Sequence, residues 1–230
     1  MTSTNSGAPA YPCNEPCRYS TYNAACQGHL ECMKYALKAR HGVWDPSTTI
    51  AASAGGHLEC LKYAHENGCK WDPETTYYAA KEGQLECLRY AHENGCEWHP
   101  CTTRAAAENG HLGCLQYAHD SPGVSCEWDL DTTWCAAQDG RLECLRYAYE
   151  NGCVWDSDST FFAALYGHLE CLVYIYEHCG DVATWENAKL EKRFKDFSKE
   201  IQDFIDSVRE NWKYGLNRPG ARTKSAKRNC

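Results

Sequence analysis

Between Trp71 and Gly95 the apolar positions fall into two short helical registers separated by a glycine. Thr76, Ala79 and Ala80 share one face at the i, i+3, i+4 spacing of an α-helix. After Gly83, the residues Leu85, Cys87, Leu88, Tyr90 and Ala91 form the inward side of a second helix over 84–93. Asp72 is placed to accept hydrogen bonds from the free N–H groups that open the first helix. Pro73 fits its first position, where no N–H is needed. Gly83 can take positive φ and stop that helix, and Asn94-Gly95 ends the second. Helices of about ten residues are marginal alone, so the pattern predicts helix–turn–helix units that gain stability from packing on one another.

The arrangement recurs. Gly-His-Leu-Glu-Cys stands at Gly28–Cys32, Gly56–Cys60 and Gly167–Cys171, with near copies at Gly83–Cys87, Gly110–Cys114 and Gly140–Cys144, at intervals of 28, 27, 27, 30 and 27 residues. Paired alanines precede each copy, at Ala24/Ala25, Ala51/Ala52, Ala79/Ala80, Ala106/Ala107, Ala136/Ala137 and Ala163/Ala164. Asp45-Pro46 repeats the opening signal, and Asp129 and Asp156 keep the aspartate alone. Trp44, Trp71, Trp98, Trp128, Trp155 and, as a sixth candidate, Trp185 lead into the units; packing into the turns, with the indole N–H bonded to nearby backbone, accounts for an identical residue in each. A fixed period of this length is the mark of stacked repeats. The expected fold is all-α: an α-solenoid of six stacked helix–turn–helix repeats over residues 17–180, with Asn23 and Gln27 as polar substitutions in the first unit. Residues 1–16 are expected to be a flexible segment. Residues 181–212 are expected to form a capping helix, with Leu190, Phe194, Phe197, Ile201, Phe204, Ile205 and Val208 at helical spacing from Glu186 to Asn211. Residues 213–230 form a basic tail expected to be disordered.

Composition narrows the setting. Met1–Pro12 has neither the basic start nor the apolar stretch of a signal peptide, and no apolar run approaches the ~20 residues of a membrane helix. Seventeen cysteines then suggest a reduced compartment, the cytoplasm or the nucleus, rather than secretion. Six of them hold one repeat position, where helices stacked about 8–10 Å apart exceed the ~7 Å reach of a disulfide; they read as small buried apolar groups. The net charge is −8, but residues 1–180 carry 11 basic and 23 acidic groups, and residues 181–230 carry 12 and 8. An acidic array argues against nucleic acid as its partner, leaving the basic tail as the one segment suited to it.

The consensus Gly-Cys-x-Trp-Asp-x-x-x-Thr-x-x-Ala-Ala-x-x-Gly-His-Leu-Glu-Cys-Leu-x-Tyr-Ala-x-Glu-Asn-Gly resembles the ankyrin repeat, through Ala-Ala-x-x-Gly-His-x-Glu and the closing Asn-Gly-Cys. The resemblance covers about 165 residues. It is to a short variant abundant in large DNA viruses of protists and in some protists and algae; for a viral protein the compartment would be the host cytoplasm. It implies a non-enzymatic scaffold whose concave groove binds other proteins. Units of 27 residues fall short of the family's ~33, where the family carries its β-hairpin finger, and Thr75-Thr76-Tyr77 stands near the place of Thr-Pro-Leu-His.

Positions that vary between units are the candidate contacts. The two before glycine are Cys26/Gln27, Ala54/Gly55, Lys81/Glu82, Glu108/Asn109, Gln138/Asp139 and Leu165/Tyr166. The two before the alanines include Tyr77/Tyr78, Arg104/Ala105, Trp134/Cys135 and Phe161/Phe162. Aromatic residues and arginine are common interface anchors; packing between neighbouring first helices is the competing use for Tyr77, Trp134 and Phe161. The expected partner is a protein of unknown identity, met by a monomer over the middle and C-terminal units, with no cofactor and no membrane.

Other chemistry is weakly signalled. His57 and Cys60 sit at i, i+3 on one helix, a spacing that can serve zinc, but Gln84 and Arg141 replace the histidine elsewhere and four ligands must converge. Cys13 and Cys17 form one isolated pair. His65 and His92, on the second helices, read as solvated. No phosphate-binding loop, nucleophile elbow or kinase set is present, so the chain reads as no enzyme. Two rival functions remain: a ubiquitin-ligase substrate adaptor acting through residues 181–230, and a nucleic-acid-associated protein acting through its tail.

Overall fold

The computed structural model describes residues 20–121, 123, 125–155, 158–178 and 192–213. The N-terminal segment, the Cys13/Cys17 pair, Asp156, Trp185, the start of the C-terminal helix through Leu190, and the tail beyond Lys213 lie outside them. Among the described residues the regular structure is helical and no strand occurs. The helices are α1 (Thr21–Cys26), α2 (Leu30–Ala39), α3 (Thr48–Ala54), α4 (Leu58–Glu66), α5 (Glu74–Lys81), α6 (Leu85–Glu93), α7 (Thr102–Asn109), α8 (Leu112–Asp120), α9 (Thr132–Gln138), α10 (Leu142–Glu150), α11 (Asp158–Tyr166), α12 (Leu169–His178) and α13 (Lys199–Lys213).

The chain divides after Thr102 into two compact units. In the first, α1, α3 and α5 lie side by side as one layer, and α2, α4 and α6 form the other. Each odd helix also packs on the even helix that follows it. In the second, α9 packs on α11 in one layer, α8, α10 and α12 follow each other in the second, and α13 packs on α12. Neighbouring helices therefore pack in sequence order. No described helix is long and apolar enough to cross a membrane.

Glycine closes both helices of a unit. At the end of α1, Gly28 adopts φ +69°, and the N–H groups of Gly28 and His29 bond the carbonyls of Ala25 (3.1 Å) and Ala24 (2.9 Å), a Schellman closure. At the end of α4, Gly68 and Cys69 bond His65 and Ala64 in the same way, which carries Cys69 into the core at 5% exposure. The longer interval after Gly110 preserves this logic. Extra residues leave α8 at Ser121, and Cys126 N–H still returns to the Ala118 carbonyl at 2.8 Å.

The core is built from small groups. Odd helices bury threonine pairs and alanines; even helices bury one cysteine, one large apolar residue and one alanine each in α4, α6, α8 and α10. One expected pairing is shifted by a residue. His57 N–H bonds the Ala52 carbonyl, as His29 bonds Ala24 and Gln84 bonds Ala79. The equivalents of the alanine pair in α3 are therefore Ala52 and Ser53, not Ala51 and Ala52: the glycine closure fixes the register, and Ala51 is an additional small residue one position ahead of the pair. Ser53 is fully buried and its Oγ has no hydrogen-bond partner among the described residues, whereas Ala25, Ala80, Ala107, Ala137 and Ala164 fill the position elsewhere. Ser53→Ala is expected to stabilise the protein by about 1 kcal/mol, since an unsatisfied buried hydroxyl costs about that much; an increase in urea midpoint at unchanged m checks it.

The threonine pairs are a hydrogen-bonding device whose role the spacing alone did not expose. Thr21 meets Thr48 at 2.9 Å, Thr75 donates to Thr49 at 3.0 Å, and Thr76 meets Thr102 at 3.4 Å. In α5 and α9 the second threonine of the pair also holds the loop entering the next helix pair: Thr76 Oγ1 accepts from His99 N–H at 3.0 Å, and Thr133 donates to the Val154 carbonyl at 3.0 Å. Caps follow the expected plan in two places, where Asp72 accepts from Glu74 N–H and Asp129 from Asp131 N–H, both at 2.9 Å. His99 Nδ1 takes over this task for Cys101 N–H at 3.2 Å. Asp45 departs from it. Its carboxylate turns to the open end of α1, accepting from Tyr22 N–H (3.1 Å) and the hydroxyls of Ser20 (2.8 Å) and Thr21 (2.9 Å), and it pairs with Arg40 at 3.0 Å. Burial raises its pKa, but these donors and the guanidinium outweigh that and hold it below the usual value.

The tryptophans plug the turns. Trp44, Trp71 and Trp128 donate their indole N–H to the carbonyls of Asn67, Asn94 and Asn151 at 2.9–3.1 Å, whereas the buried Trp155 Nε1 has no hydrogen-bond partner among the described residues. Their neighbours correct the reading of the histidines as solvated. His65 lies 4.6 Å from Trp71, His92 stacks on Trp98 at 4.4 Å, and His119 on Trp128 at 4.3 Å, centroid to centroid. Each imidazole is half-buried because it covers the apolar face of an indole; burial lowers the pKa of His92.

The C-terminal helix is shorter than its sequence pattern. A 3-10 turn at Phe194–Asp196 and extended backbone at Phe197 interrupt it, and α13 begins at Lys199 behind Ser198, whose hydroxyl accepts from Ile201 N–H at 3.4 Å. Ile201, Ile205 and Val208 are buried at 0–1% exposure, so the apolar stripe of α13 is covered within its own unit.

Burial also sets the thiol chemistry. It is the main cause raising Cys60, Cys87 and Cys144 to about 11 and Cys96 and Cys114 to about 12. Folding keeps these protons on, so the associated stability is fully present below pH 9, the ordinary thiol value, and is lost as pH rises through 11–12. The urea midpoint is expected to fall between pH 8 and pH 10.5, and Cys26 and Cys101, only half-buried, are expected to alkylate before the buried cysteines among the described residues.

Candidate partner-binding faces

The odd helices have one inward and one outward side. In α5, Thr75, Thr76, Ala79 and Ala80 are buried, while Tyr77, Tyr78 and Lys81 are half-buried and Glu82 is exposed. Side chains that vary between units thus occupy the side away from the even helices.

In the first unit this side of α1, α3 and α5 carries a groove of about 500 Å³. Tyr22, Ile50 and Tyr78 wall it, and the Glu74 and Glu82 carboxylates line it. Its floor is shallow because Ala51, Ala54 and Gly55 have almost no side chain. Tyr22 is 42% exposed. Lys81 Nζ lies 5.8 Å from the Tyr78 ring. Tyr77 belongs elsewhere: it packs edge-on against Tyr78 at 5.1 Å and lies 5.2 Å from His99. Of the candidates read from the sequence, Cys26, Ala54, Gly55, Tyr78 and Glu82 line the groove. Tyr22, Ile50 and Glu74 were missed, and the register explains Ile50: aligned on the glycine rather than on the alanines, Ile50 and Ala51 become the counterparts of Tyr77 and Tyr78.

In the second unit the candidates separate into two kinds. Arg104 is engaged by Asp131 at 3.3 Å and Asp129 at 3.9 Å. Asn109 turns its amide back to the Ala105 carbonyl at 2.9 Å, and the Glu108 carbonyl accepts from Arg141 Nε at 3.2 Å, so these backbone and amide groups hold the turn together. Trp134 lies 5.0 Å from Phe162, which contacts Phe161 at 5.2 Å and stacks on Tyr166 at 6.4 Å. Tyr166 is 56% exposed, and Gln138, Asp139 and Leu165 are half-buried. This cluster is a partly exposed aromatic face on α9 and α11.

The motif histidine has a packing task. His57 Nε2 is 3.2 Å from the Cys26 carbonyl, and its ring lies against Gly28; Cys60 points into the core. Among the described residues no three metal-ligating side chains converge. A second recess of about 330 Å³ lies between the loops of Trp44 and Trp71, with Lys70 and Asp72 at its side; the indole N–H groups there are already bonded to backbone. No protein-family model matches the chain, and no curated protein matches it.

Proposed function

We propose that the chain is a non-enzymatic protein-interaction scaffold: an α-solenoid of six short ankyrin-like units, closed at its C-terminal end by α13, that binds a protein partner through the outward sides of its first helices. It acts as a monomer in a cytoplasm or nucleus. The observation that carries this reading is the division of labour within a unit. Recurring threonine, alanine, cysteine, leucine and tryptophan positions are consumed by packing and hydrogen bonds. The varying positions carry half-exposed tyrosine, isoleucine, tryptophan and phenylalanine, the residue types that anchor interfaces when clustered on a surface. Burial that raises thiol pKa values leaves those cysteines poor nucleophiles, which favours recognition over catalysis.

Proximity labelling in the native cell tests it, comparing the wild-type chain with two variants: Ile50→Arg/Tyr78→Ala in the first unit and Trp134→Ala/Tyr166→Ala in the second. Loss of a discrete set of labelled proteins in at least one variant, with circular dichroism unchanged, is the expected result. An identical set in all three chains overturns the reading.

A further inference from the structure

The groove on α1, α3 and α5 has a chemical character that narrows its occupant. Its walls are aromatic and aliphatic, through Tyr22, Ile50 and Tyr78. Among the described residues its ionisable carboxylates are Glu74, at the start of α5, and Glu82, directly after its end, and neither has an ion pair there. Three acidic groups of this unit are matched, Glu31 by Lys34, Asp45 by Arg40 and Glu59 by Lys62, and others, such as Glu66 and Glu93, lie outside the groove. Two unmatched carboxylates beside tyrosine faces and a shallow aliphatic floor suit a long cationic side chain, whose methylenes cover apolar surface while its charged head meets the acids. The Tyr78 ring already holds a cation in this way, from Lys81.

We infer that this groove takes a basic segment of a partner protein, presenting an arginine or lysine beside an aliphatic residue. The inference rests on the scaffold reading above and assigns the partner class for the first unit. Arginine suits the site better than lysine, because its planar guanidinium stacks on tyrosine and is more weakly hydrated. Lys81 repels the incoming charge, so its position sets the strength of the site without creating it.

Selection of a random dodecapeptide library on the immobilised full-length protein tests this, with enriched peptides measured by fluorescence anisotropy. Peptides carrying arginine or lysine next to an aliphatic residue are expected to be enriched. Their affinity is expected to fall roughly fivefold or more in Glu74→Gln/Glu82→Gln, since each partly exposed charge contributes modestly. That difference should shrink as salt is raised from about 0.05 M to about 0.5 M. Lys81→Ala is expected to tighten binding about two- to threefold. Enrichment of neutral apolar or acidic peptides, or no enrichment, overturns the inference. Binding that survives the double glutamine variant but is lost in Ile50→Arg overturns the charge assignment and leaves the groove reading standing. Binding indifferent to Ile50→Arg as well removes the groove reading with it.

Discussion

Leu88→Ala is expected to lower the free energy of unfolding by about 2–5 kcal/mol, the range for a fully buried leucine. Three residues of α6 are buried, Cys87, Leu88 and Ala91, and Leu88 supplies most of their volume. Its neighbours cannot fill the space it would vacate. The facing residues of α5 are threonines and alanines, too short to reach into a cavity, and their backbone is fixed by helix and by the threonine bonds between helices. Partial collapse is what moderates such losses elsewhere, so this site falls toward the upper part of the range. For a protein with typical total stability of about 5–15 kcal/mol, that is a large fraction, and the effect spreads because helices this short depend on their neighbours. Urea titration by circular dichroism checks it. A loss under about 1 kcal/mol would mean that Leu88 is not the volume-carrying residue of this layer. Leu88→Met, which conserves volume, is expected to cost less than about 1.5 kcal/mol.

The sequence made the helices visible because a unit repeats its whole vocabulary: glycine closures, inward leucines and paired small residues all recur at one spacing. Periodicity therefore located both helices of a pair and the turn between them, and the tryptophan role followed from an identical residue in each unit. What periodicity could not reach was set by single contacts. Ser53 reads as an interruption of an alanine pair that starts one residue early, and only the His57–Ala52 bond fixes the register. Asp45 looks like Asp72 in sequence, yet it faces an open helix end and a nearby arginine and goes there instead. His65 and His92 read as solvated from their place on the second helices; the flat imidazole face is what the indole uses. The break at Phe197 lies inside a pattern with unbroken helical spacing, so it carried no periodic trace. For the candidate faces, variation between units named Tyr78 and Glu82, whereas Ile50 needed the corrected register and Tyr22 and Glu74 needed the groove itself.

Gly140→Ala is expected to cost about 2–4 kcal/mol, and Gly110→Ala about 1–2 kcal/mol, although both glycines occupy the same place after an odd helix. Both have positive φ, +66° at Gly140 and +79° at Gly110, so an added Cβ brings a similar backbone strain at each. The neighbours differ. At Gly140 the Cβ would stand 2.5–2.9 Å from three atoms of the His168 ring. That ring is rigid and follows directly on Gly167 at the start of α12, so relief requires moving a helix start. At Gly110 the nearest atoms are Cδ and Nε of Arg141, at 2.9 and 3.2 Å, on a flexible side chain that can swing away at the loss of its bond to the Glu108 carbonyl. The double variant Gly140→Ala/His168→Ala separates the two contributions. Removing the ring abolishes the clash and leaves the backbone strain, so the double variant should be more stable than Gly140→Ala alone even though His168→Ala by itself destabilises. Chemical denaturation of the four chains checks this. Equal losses at Gly110 and Gly140, or no rescue by the second substitution, would mean that the imidazole does not press on that glycine, and that the recurring Gly-His pair owes its place to helix closure alone.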